Sequence, residues 1–474
     1  MKTIVGRCVR VILLTCAVVM PMLGTEAQVV RLGYADAEAL MLGGNEALKV
    51  AEAGVAVANL ERRKVNSLWW PQLQANGMYA HLSEQVEVRQ PLSRFTDPAK
   101  AYVQSIFPSE QLITGLLDRV GEHTLSFPLL PQDIASVGLT AEWIAFSGGK
   151  RWYADRMARS AMDVAENNSR QVAGAERVAL VERYYGLVLA QQTEQVCHHR
   201  YEALMKHYRD AQRLESVGMI DKAARLFAQV NMEEAAREWS RARSVTQTAQ
   251  ASLKQQLGMA DSALTITPTS SLFVNLQLPE LQLFTDAMRS NNPALGTLRV
   301  EELMARDKLR MDQGGYLPDV VLFGKQSLYT HGLPSNLLPR TIVGVGFTWN
   351  LFDGLERESQ IAQTRLAKQA LVWSREEAES ELAVAVTELY ATLQRTSDEV
   401  KVLDASIALN EELVRMRRIA FAEGMATSAE VIDAENALSE VYLARLATYY
   451  AYDVGLANLL ALCGMTEEFG EYIR

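Results

Sequence analysis

The chain lacks the residues that mark most enzymes and most disulfide-stabilised proteins. Of its four cysteines, Cys8 and Cys16 lie in the N-terminal segment, which leaves Cys197 and Cys463 for the folded part. Two cysteines indicate no disulfide framework. The sequence also has no Gly-Lys-Ser/Thr phosphate loop and no Gly-x-Ser-x-Gly nucleophile elbow. These absences argue against an enzyme, and neither a cofactor nor a catalytic residue is expected.

The chain has no excess of positive charge, and it has few patterns typical of metal binding. The net charge is −10, which is no footprint for binding nucleic acid. One metal-like cluster occurs, at Cys197, His198 and His199. Adjacent residues on a helix point about 100° apart and do not converge on one ion. We therefore expect no metal site and interpret Cys197 as a buried structural cysteine.

Long apolar runs are absent after the N-terminus, where a secretory signal is predicted. Three basic residues precede an apolar run at 11–23, and a small-residue cleavage site follows. This pattern predicts a signal peptide at 1–27. A membrane anchor and lipidation at Cys16 are the alternatives. No later stretch reaches the ~18 apolar residues of an ordinary transmembrane helix.

The rest of the sequence contains one pattern twice. At a spacing of 247, Ala47-Leu48 matches Ala294-Leu295 and Pro71 matches Pro318. At a spacing of 206, the following pairs match: Trp143 and Trp349, Phe146 and Phe352, Gly148 and Gly354, Tyr184 and Tyr390, Gly218-Met219 and Gly424-Met425, Gly258-Met259 and Gly464-Met465. We therefore predict two repeats, at 28–265 and 266–474. The first copy has about 41 extra residues, predicted as a long irregular loop between about Arg89 and Gln132.

Alternating apolar and polar residues predict two strands in each repeat. The segments are about 71–82 and 135–146 in the first repeat, and about 319–329 and 341–352 in the second. Apolar faces on segments of ~10 residues suit membrane strands, although a half-buried soluble hairpin fits the alternation too. Four tryptophans near the strand–helix junctions indicate membrane-interface aromatics. They are Trp69, Trp70, Trp143 and Trp349.

Helical signals dominate each repeat after its second strand. The segment 150–216 has no proline, and 355–423 has neither proline nor glycine, so each predicts a helix of about 100 Å. Return helices are predicted at 222–257 and 428–462, with turns at Gly218 and Gly424. A heptad seam marks the second long helix: Leu382, Val386, Leu389, Leu393, Thr396, Val400, Leu403, Ile407, Asn410 and Val414. That seam needs partner helices, and four strands are too few for a barrel of at least ~8, so an oligomer is expected.

These motifs, in this order and present twice, resemble the bacterial outer-membrane efflux protein family, the TolC-like channels. The resemblance covers nearly all of the mature chain. The matching segments are FSGGKR and FDGLER at the strand exits, VGMIDKAARL and EGMATSAEVIDAENAL at the hairpin turns, and LGM and CGM at the repeat ends.

The resemblance implies a mainly α fold with a small β part, internally duplicated. Long antiparallel coiled-coil hairpins and four transmembrane β-strands per chain would build a trimeric α/β barrel. It implies a passive efflux duct in the outer membrane that extends into the periplasm. Its partners would be two further copies, a periplasmic adaptor, an inner-membrane transporter and outer-membrane lipid. The alternative is a structural periplasmic coiled-coil or adaptor protein without a pore.

The resemblance also implies roles for the two turns. It assigns adaptor docking to the tip residues Gly218, Met219, Ile220, Asp221, Gly424, Met425, Ala426, Thr427 and Ser428. It places acidic rings at the closed end of the pore, which here would be Glu430 and Asp433. Phe227 is the apolar candidate for that constriction in the first copy. Some relatives have a latch arginine where this chain has Ala426.

Overall fold

The computed structural model describes residues 29–106, 108–109, 111–260, 264–275, 277–332 and 339–473. The signal segment predicted at 1–27 lies outside these residues. None of the helices in these ranges is both long and apolar enough to cross a membrane.

Most of the described chain is helical. The helices are α1 (Tyr34–Gly44), α2 (Glu46–Asn66), α3 (Ser93–Ile106), α4 (Gln111–Gly121), α5 (Lys150–Ser216), α6 (Lys222–Gln256), α7 (Leu281–Asn291), α8 (Pro293–Gln313), α9 (Glu356–Ala422), α10 (Ser428–Cys463) and α11 (Phe469–Tyr472). The strands are β1 (Val29–Leu32), β2 (Gln72–His81), β3 (Val86–Pro91), β4 (Thr124–Leu130), β5 (Asp133–Ser147), β6 (Thr265–Pro268), β7 (Asp319–His331) and β8 (Thr341–Thr348). The predicted fold class, mainly helical with a small β part, is confirmed.

One very long helix forms the axis of each repeat, and shorter helices pack along each half of it. α5 and α9 have 67 residues each, or about 100 Å. Next to the sheet, α2 and α8 pack against α5, and α8 also packs against α9. Towards the turns, α6 and α10 pack against α5, and α10 also packs against α9. The helices thus form one layer, with α5 inside it and α9 at one edge.

The predicted heptad seam of α9 is the face that packs into this layer. Val386, Leu393, Val400, Ile407 and Val414 are all buried. A period of seven keeps these residues on one side of the helix. The α9 seam therefore faces the return helix α10 and the neighbouring elements, as predicted.

The main sheet has four strands in the order β2-β5-β7-β8, all antiparallel. Each repeat contributes one hairpin, and the two hairpins join through β5 and β7. β2 and β7 begin at the helices, and β5 and β8 return to them. All four strands therefore have one end beside the helices, and the opposite end of the sheet is remote from them.

The prediction of an irregular loop between about Arg89 and Gln132 is wrong. The segment forms a two-stranded ribbon, β3 with β4, which carries the helical hairpin α3–α4. Its prolines misled the prediction because Pro98 lies in the second turn of α3. Pro98 is the sixth residue of the helix, so its missing N–H removes one i→i−4 hydrogen bond, yet α3 continues to Ile106. We refer to residues 82–132 as the insert.

A buried core lies midway along the long helices, where the two repeats meet. Aromatic side chains fill it, among them Tyr34, Tyr185 and Phe469, whose rings lie 5.1–6.1 Å apart. Here the parallel pair β1–β6 joins the start of the first repeat to the start of the second. The Tyr184 hydroxyl donates to the Leu32 carbonyl over 2.8 Å, and its repeat counterpart Tyr390 donates to the Pro279 carbonyl over 3.0 Å.

Asp453 is an unusual member of this core because it is acidic and fully buried. Neither of its carboxyl oxygens has a hydrogen-bond partner of normal geometry. Burial raises its pKa to about 9, and the nearby backbone of Phe273 offsets this only in part. At neutral pH the side chain is therefore a neutral carboxylic acid.

We predict that Asp453 makes the folded protein less stable as the pH rises. The folded-state pKa lies above the usual value of 3.8, so the stabilisation is complete below pH ~4 and is lost as the pH rises toward ~9. Thermal unfolding midpoints measured from pH 5 to pH 9 should fall in the parent protein. The fall should be much smaller in Asp453→Asn. Equal pH dependence in both proteins would contradict the prediction.

Candidate functional site

The turn between α9 and α10 forms the second tip of the chain. Gly424 has φ = 77°, a left-handed backbone conformation that costs free energy in residues with a Cβ atom. The Met425 N–H donates to the Ala420 carbonyl over 2.8 Å. Thr427 then caps α10 in a capping box with Glu430. The turn lies at Gly424, as the sequence predicted, and Thr427 is the residue that caps the next helix.

The turn between α5 and α6 forms the first tip with the same geometry. Gly218 also has φ = 77°, and the Met219 N–H donates to the Leu214 carbonyl over 2.9 Å. Asp221 takes the place of Thr427 and accepts from the Ala224 N–H over 2.8 Å. The cap of the first tip is therefore an anion, whereas the cap of the second is a neutral hydroxyl.

The two tips lie side by side and share one apolar surface. A Cβ placed on Gly424 would lie 3.7 Å from the Met219 Cε. The side chains of Val217, Met219 and Met425 are 56–72 % exposed. Flexible apolar side chains beside two glycines leave a surface that another helical segment could approach closely.

The three predicted constriction residues have different environments. The Glu430 carboxylate accepts from the Thr427 N–H over 2.7 Å and from Arg417 over 3.0 Å. The Thr427 backbone and then its hydroxyl, together with Arg417, hold the pKa of Glu430 below its usual value. Asp433 is exposed one turn further along α10, and Phe227 is 46 % exposed on α6. Glu430 thus acts in the cap, while Asp433 presents an exposed carboxylate.

Polar contacts between the two hairpins, close to the tips, were missed by the sequence analysis. The buried His207 of α5 shares a 2.7 Å hydrogen bond with the Ser428 hydroxyl of α10. Burial lowers the pKa of His207 to about 4, so the ring is neutral at neutral pH. Arg200 of α5 donates to the Asn436 side chain over 3.0 Å. Such contacts join residues more than 200 positions apart and leave no local sequence signal.

The strand–helix junction of the first repeat is built around an arginine. The Arg151 guanidinium lies 4.6 Å from the centre of the Trp69 ring and donates to the Leu68 and Ala145 carbonyls over 3.1 and 2.9 Å. The indole N–H of Trp143 donates to the Trp69 carbonyl over 3.0 Å. These contacts fix the angle at which β5 turns into α5.

The second repeat forms the same junction with one substitution. Arg357 lies 4.6 Å from the Tyr316 ring and donates to the Gly315 and Asn350 carbonyls over 3.0 and 2.9 Å. Trp349 donates to the Tyr316 carbonyl over 3.1 Å. Arg151 and Arg357 end the motifs FSGGKR and FDGLER, yet their role was missed because only their position beside an aromatic ring and two backbone carbonyls reveals it.

The four predicted interface tryptophans all lie at these junctions. Their exposed fractions range from 39 % for Trp143 to 73 % for Trp70. Within the described ranges, no three His, Cys, Asp or Glu residues lie close enough together to hold a metal ion. Cys197 is buried, as predicted. His198 packs against Trp239 at 4.4 Å between ring centres.

Comparison with known proteins agrees with this architecture. Residues 285–465 match the family model described as "Outer membrane efflux protein". This match spans most of the second repeat, from α7 to the end of α10. A search of curated protein sequences finds no match.

Solved channel structures are similar over nine tenths of the chain. VceC from Vibrio cholerae has a TM-score of 0.71 at 15 % identity, with 91 % of this chain and 96 % of that chain covered. CmeC from Campylobacter jejuni has a TM-score of 0.68 at 14 % identity, with 93 % and 89 % covered. The open state of MtrE from Neisseria gonorrhoeae has a TM-score of 0.68 at 14 % identity, with 91 % and 89 % covered.

The fold is therefore that of the outer-membrane channel proteins. The second repeat matches the family model described as "Outer membrane efflux protein", and the chain as a whole shares the fold of the solved outer-membrane channels.

We predict that Arg357→Ala loosens the junction between β8 and α9. The variant loses two charge-assisted hydrogen bonds to carbonyls and the contact with Tyr316, a local cost of about 3 kcal/mol. Hydrogen exchange of the amides at 350–360 should become faster. Arg365→Ala removes an exposed arginine further along α9 and is the matched control. Equal exchange in both variants would show that Arg357 does not hold the junction.

Proposed function

We propose that this chain is the outer-membrane channel subunit of a tripartite efflux system. Three copies would form a passive duct through the outer membrane and the periplasm. The duct would dock a periplasmic adaptor and serve an inner-membrane transporter. The observation that carries the proposal is the pairing of an open sheet at one end with two glycine tips about 100 Å away along the helices.

The edges of the helix layer support the oligomer. The outward face of α9 carries exposed apolar side chains along its whole length: Leu366, Trp373, Val384, Val402, Leu409 and Met416. These residues are spaced by near-multiples of 3.6, so they form one stripe. The opposite edge of the layer exposes Val50 and Val57 on α2 and Val230 and Val245 on α6. Joining unlike edges from chain to chain produces a ring when the rotation between neighbours closes, and we propose that it closes after three chains.

The edges of the sheet point to the same arrangement. In the described chain β2 pairs only with β5, and β8 pairs only with β7, so both outer strands keep a free edge. Pairing β8 of one chain with β2 of the next removes those edges. Val343, Val345 and Phe347 of β8 are 67–82 % exposed on one face. Outer-membrane lipid is the environment that suits such a face.

The alternative of a periplasmic coiled-coil or adaptor protein without a pore does not account for the sheet. An apolar sheet face of this kind, exposed to water, would favour aggregation. The proposal assigns the chain no catalytic step.

We predict that the mature protein fractionates with outer membranes as an SDS-resistant trimer. Substituting Leu409 and Met416 of the α9 stripe by Asp places charges where two chains would meet. This variant should lose the trimer band. Matched substitutions at Glu411 and Glu412 to Asp, on the same helix, should keep it. A monomer of the parent protein in periplasmic extract would contradict the channel proposal.

The tips are the surface we propose for adaptor docking. The proposed residues are those at 218–221 and 424–428. In each segment a glycine in the left-handed conformation is followed directly by an exposed methionine. Small residues at a helix turn let a second helical hairpin approach closely, and the methionines adapt to its side chains.

We predict that Gly424→Val reduces adaptor docking without preventing assembly. Valine in the left-handed conformation costs roughly 1–2 kcal/mol, which is relieved by shifting the turn. Site-specific crosslinking to the adaptor should fall, while the yield of SDS-resistant trimer stays near normal. Ala422→Val, in the last turn of α9, is the control that adds the same side chain in a helical position. Normal crosslinking in Gly424→Val would exclude this turn from the docking surface.

We propose that Asp433 forms an acidic ring at the closed end of the duct. Because Glu430 completes the capping box of α10 and pairs with Arg417, its substitution would alter the tip as well as the charge. Asp433 has no such structural role in the described contacts, so Asp433→Asn is the cleaner test. Three carboxylates in one ring would attract cations.

We predict that Asp433→Asn lowers the cation selectivity of single channels in lipid bilayers. Block by polyvalent cations should weaken as well, while docking of the adaptor persists. If selectivity and block both stay at the parent values, the constriction lies elsewhere, and Phe227 of α6 becomes the residue to substitute.

A further inference from the structure

The insert holds a helical hairpin that is packed tightly on one side only. α3 and α4 approach closely where a Cβ on Gly121 would lie 2.5 Å from the Thr96 hydroxyl oxygen. The Lys100 ammonium lies 2.6 Å from an Asp118 carboxylate oxygen across the same interface. Thr96 is buried, and Val103 and Leu117 are half-buried. These contacts fix two antiparallel helices as one unit.

Both helices expose large apolar side chains to water. Phe95, Tyr102 and Ile106 of α3 are 50–68 % exposed, and Ile113, Leu116 and Val120 of α4 are 41–59 % exposed. Six such residues on a hairpin of this size form a contiguous patch, and patches of this kind mark interaction surfaces.

The two sets of apolar residues lie on the same face of the hairpin. Phe95 and Tyr102 each precede an inward-facing residue of α3 by one position. Leu116 and Val120 do the same in α4. In both helices, then, the exposed apolar residue comes one position before a residue that faces the other helix. Because the two helices are right-handed and run antiparallel, residues at this position point to the same side of the hairpin. We call this side the apolar face of the insert.

The insert leaves the sheet at the end remote from the long helices. It starts after His81, the last residue of β2, and returns at Asp133, the first residue of β5. The ribbon β3–β4 adds six paired positions, or about 20 Å. β2 is also an outer strand of the sheet, so the insert rises beside the junction with a neighbouring chain.

The charges of the hairpin do not suit a membrane surface. Helices that lie on lipid have polar faces rich in Lys and Arg. Here the polar side carries Asp97, Asp118 and Glu122 against Arg94 and Arg119. The one lysine, Lys100, is already paired with Asp118.

We propose that the apolar faces of the inserts from three chains pack together and cap the outer mouth of the channel. This inference rests on the proposed trimeric channel. Twelve strands spaced ~4.8 Å and tilted about 40° enclose a mouth about 24 Å across. α3 has 14 residues and is about 21 Å long. Three hairpins of this length, one per chain around such a mouth, are large enough to meet and to cover one another's apolar faces.

The test uses single cysteines in the full-length channel in intact cells. Leu116→Cys places a thiol on the apolar face, and Gln104→Cys places one on the exposed opposite side of α3. Cys197 and Cys463 are buried and are not expected to compete. After mild oxidation and full denaturation, Leu116→Cys should lose most of its monomer band to disulfide-linked dimer. Gln104→Cys should remain monomeric.

A second measurement separates the two possible coverings of the apolar face. A bimane label on Leu116→Cys should be shielded from a spin quencher attached to lipid tails. Strong quenching would overturn the inference in favour of a membrane-bound hairpin. Absence of Leu116→Cys dimers in a normal SDS-resistant trimer would also overturn it and leave the channel proposal standing. Absence of the trimer itself would overturn the channel proposal.

Discussion

A helix of about 100 Å must bury an apolar stripe along its whole length, and this requirement shapes the chain. α5 and α9 each need more partner surface than one ordinary helix supplies. The chain meets the need with pairs of half-length helices, α2 with α6 and α8 with α10, placed end to end along the long ones. The turns, the central core and the sheet all lie where these shorter helices begin or end.

The two repeats have diverged because they occupy different places in the layer. α5 is flanked on both sides, whereas α9 has one side without a partner among the residues that the structure describes. At three of the six stripe positions, where α9 has Leu366, Trp373 and Met416, the first repeat has the polar residues Ser160, Asn167 and Asp210. Residues that build the turns, the junctions and the central tyrosine contacts are kept in both repeats. The place of each long helix in the layer thus accounts for the loss of apolar side chains at these three positions of the first repeat.

Much of the fold could be predicted because its signals are local or periodic. The heptad seam and the absence of proline predicted α9, and the Gly-Met pairs predicted both turns. The prediction failed for the insert, where prolines hid two short helices. It also missed His207 with Ser428 and the rings under Arg151 and Arg357, since each contact joins distant parts of the chain. The roles of the tips and of Asp433 depend on other molecules, so they remain proposals.

The two repeats also touch at a point where neither has room for a side chain. A Cβ on Gly148 would lie 2.2 Å from the Gly314 carbonyl oxygen, and a Cβ on Gly314 would lie 2.4 Å from the Gly148 carbonyl oxygen. Each clash is with main chain, so no substitution at the partner position relieves it. Neither repeat can therefore replace its glycine here, whatever residue the other repeat has. A chimaera that joins one half to the other half of a relative would keep this junction only if the relative also has glycine there.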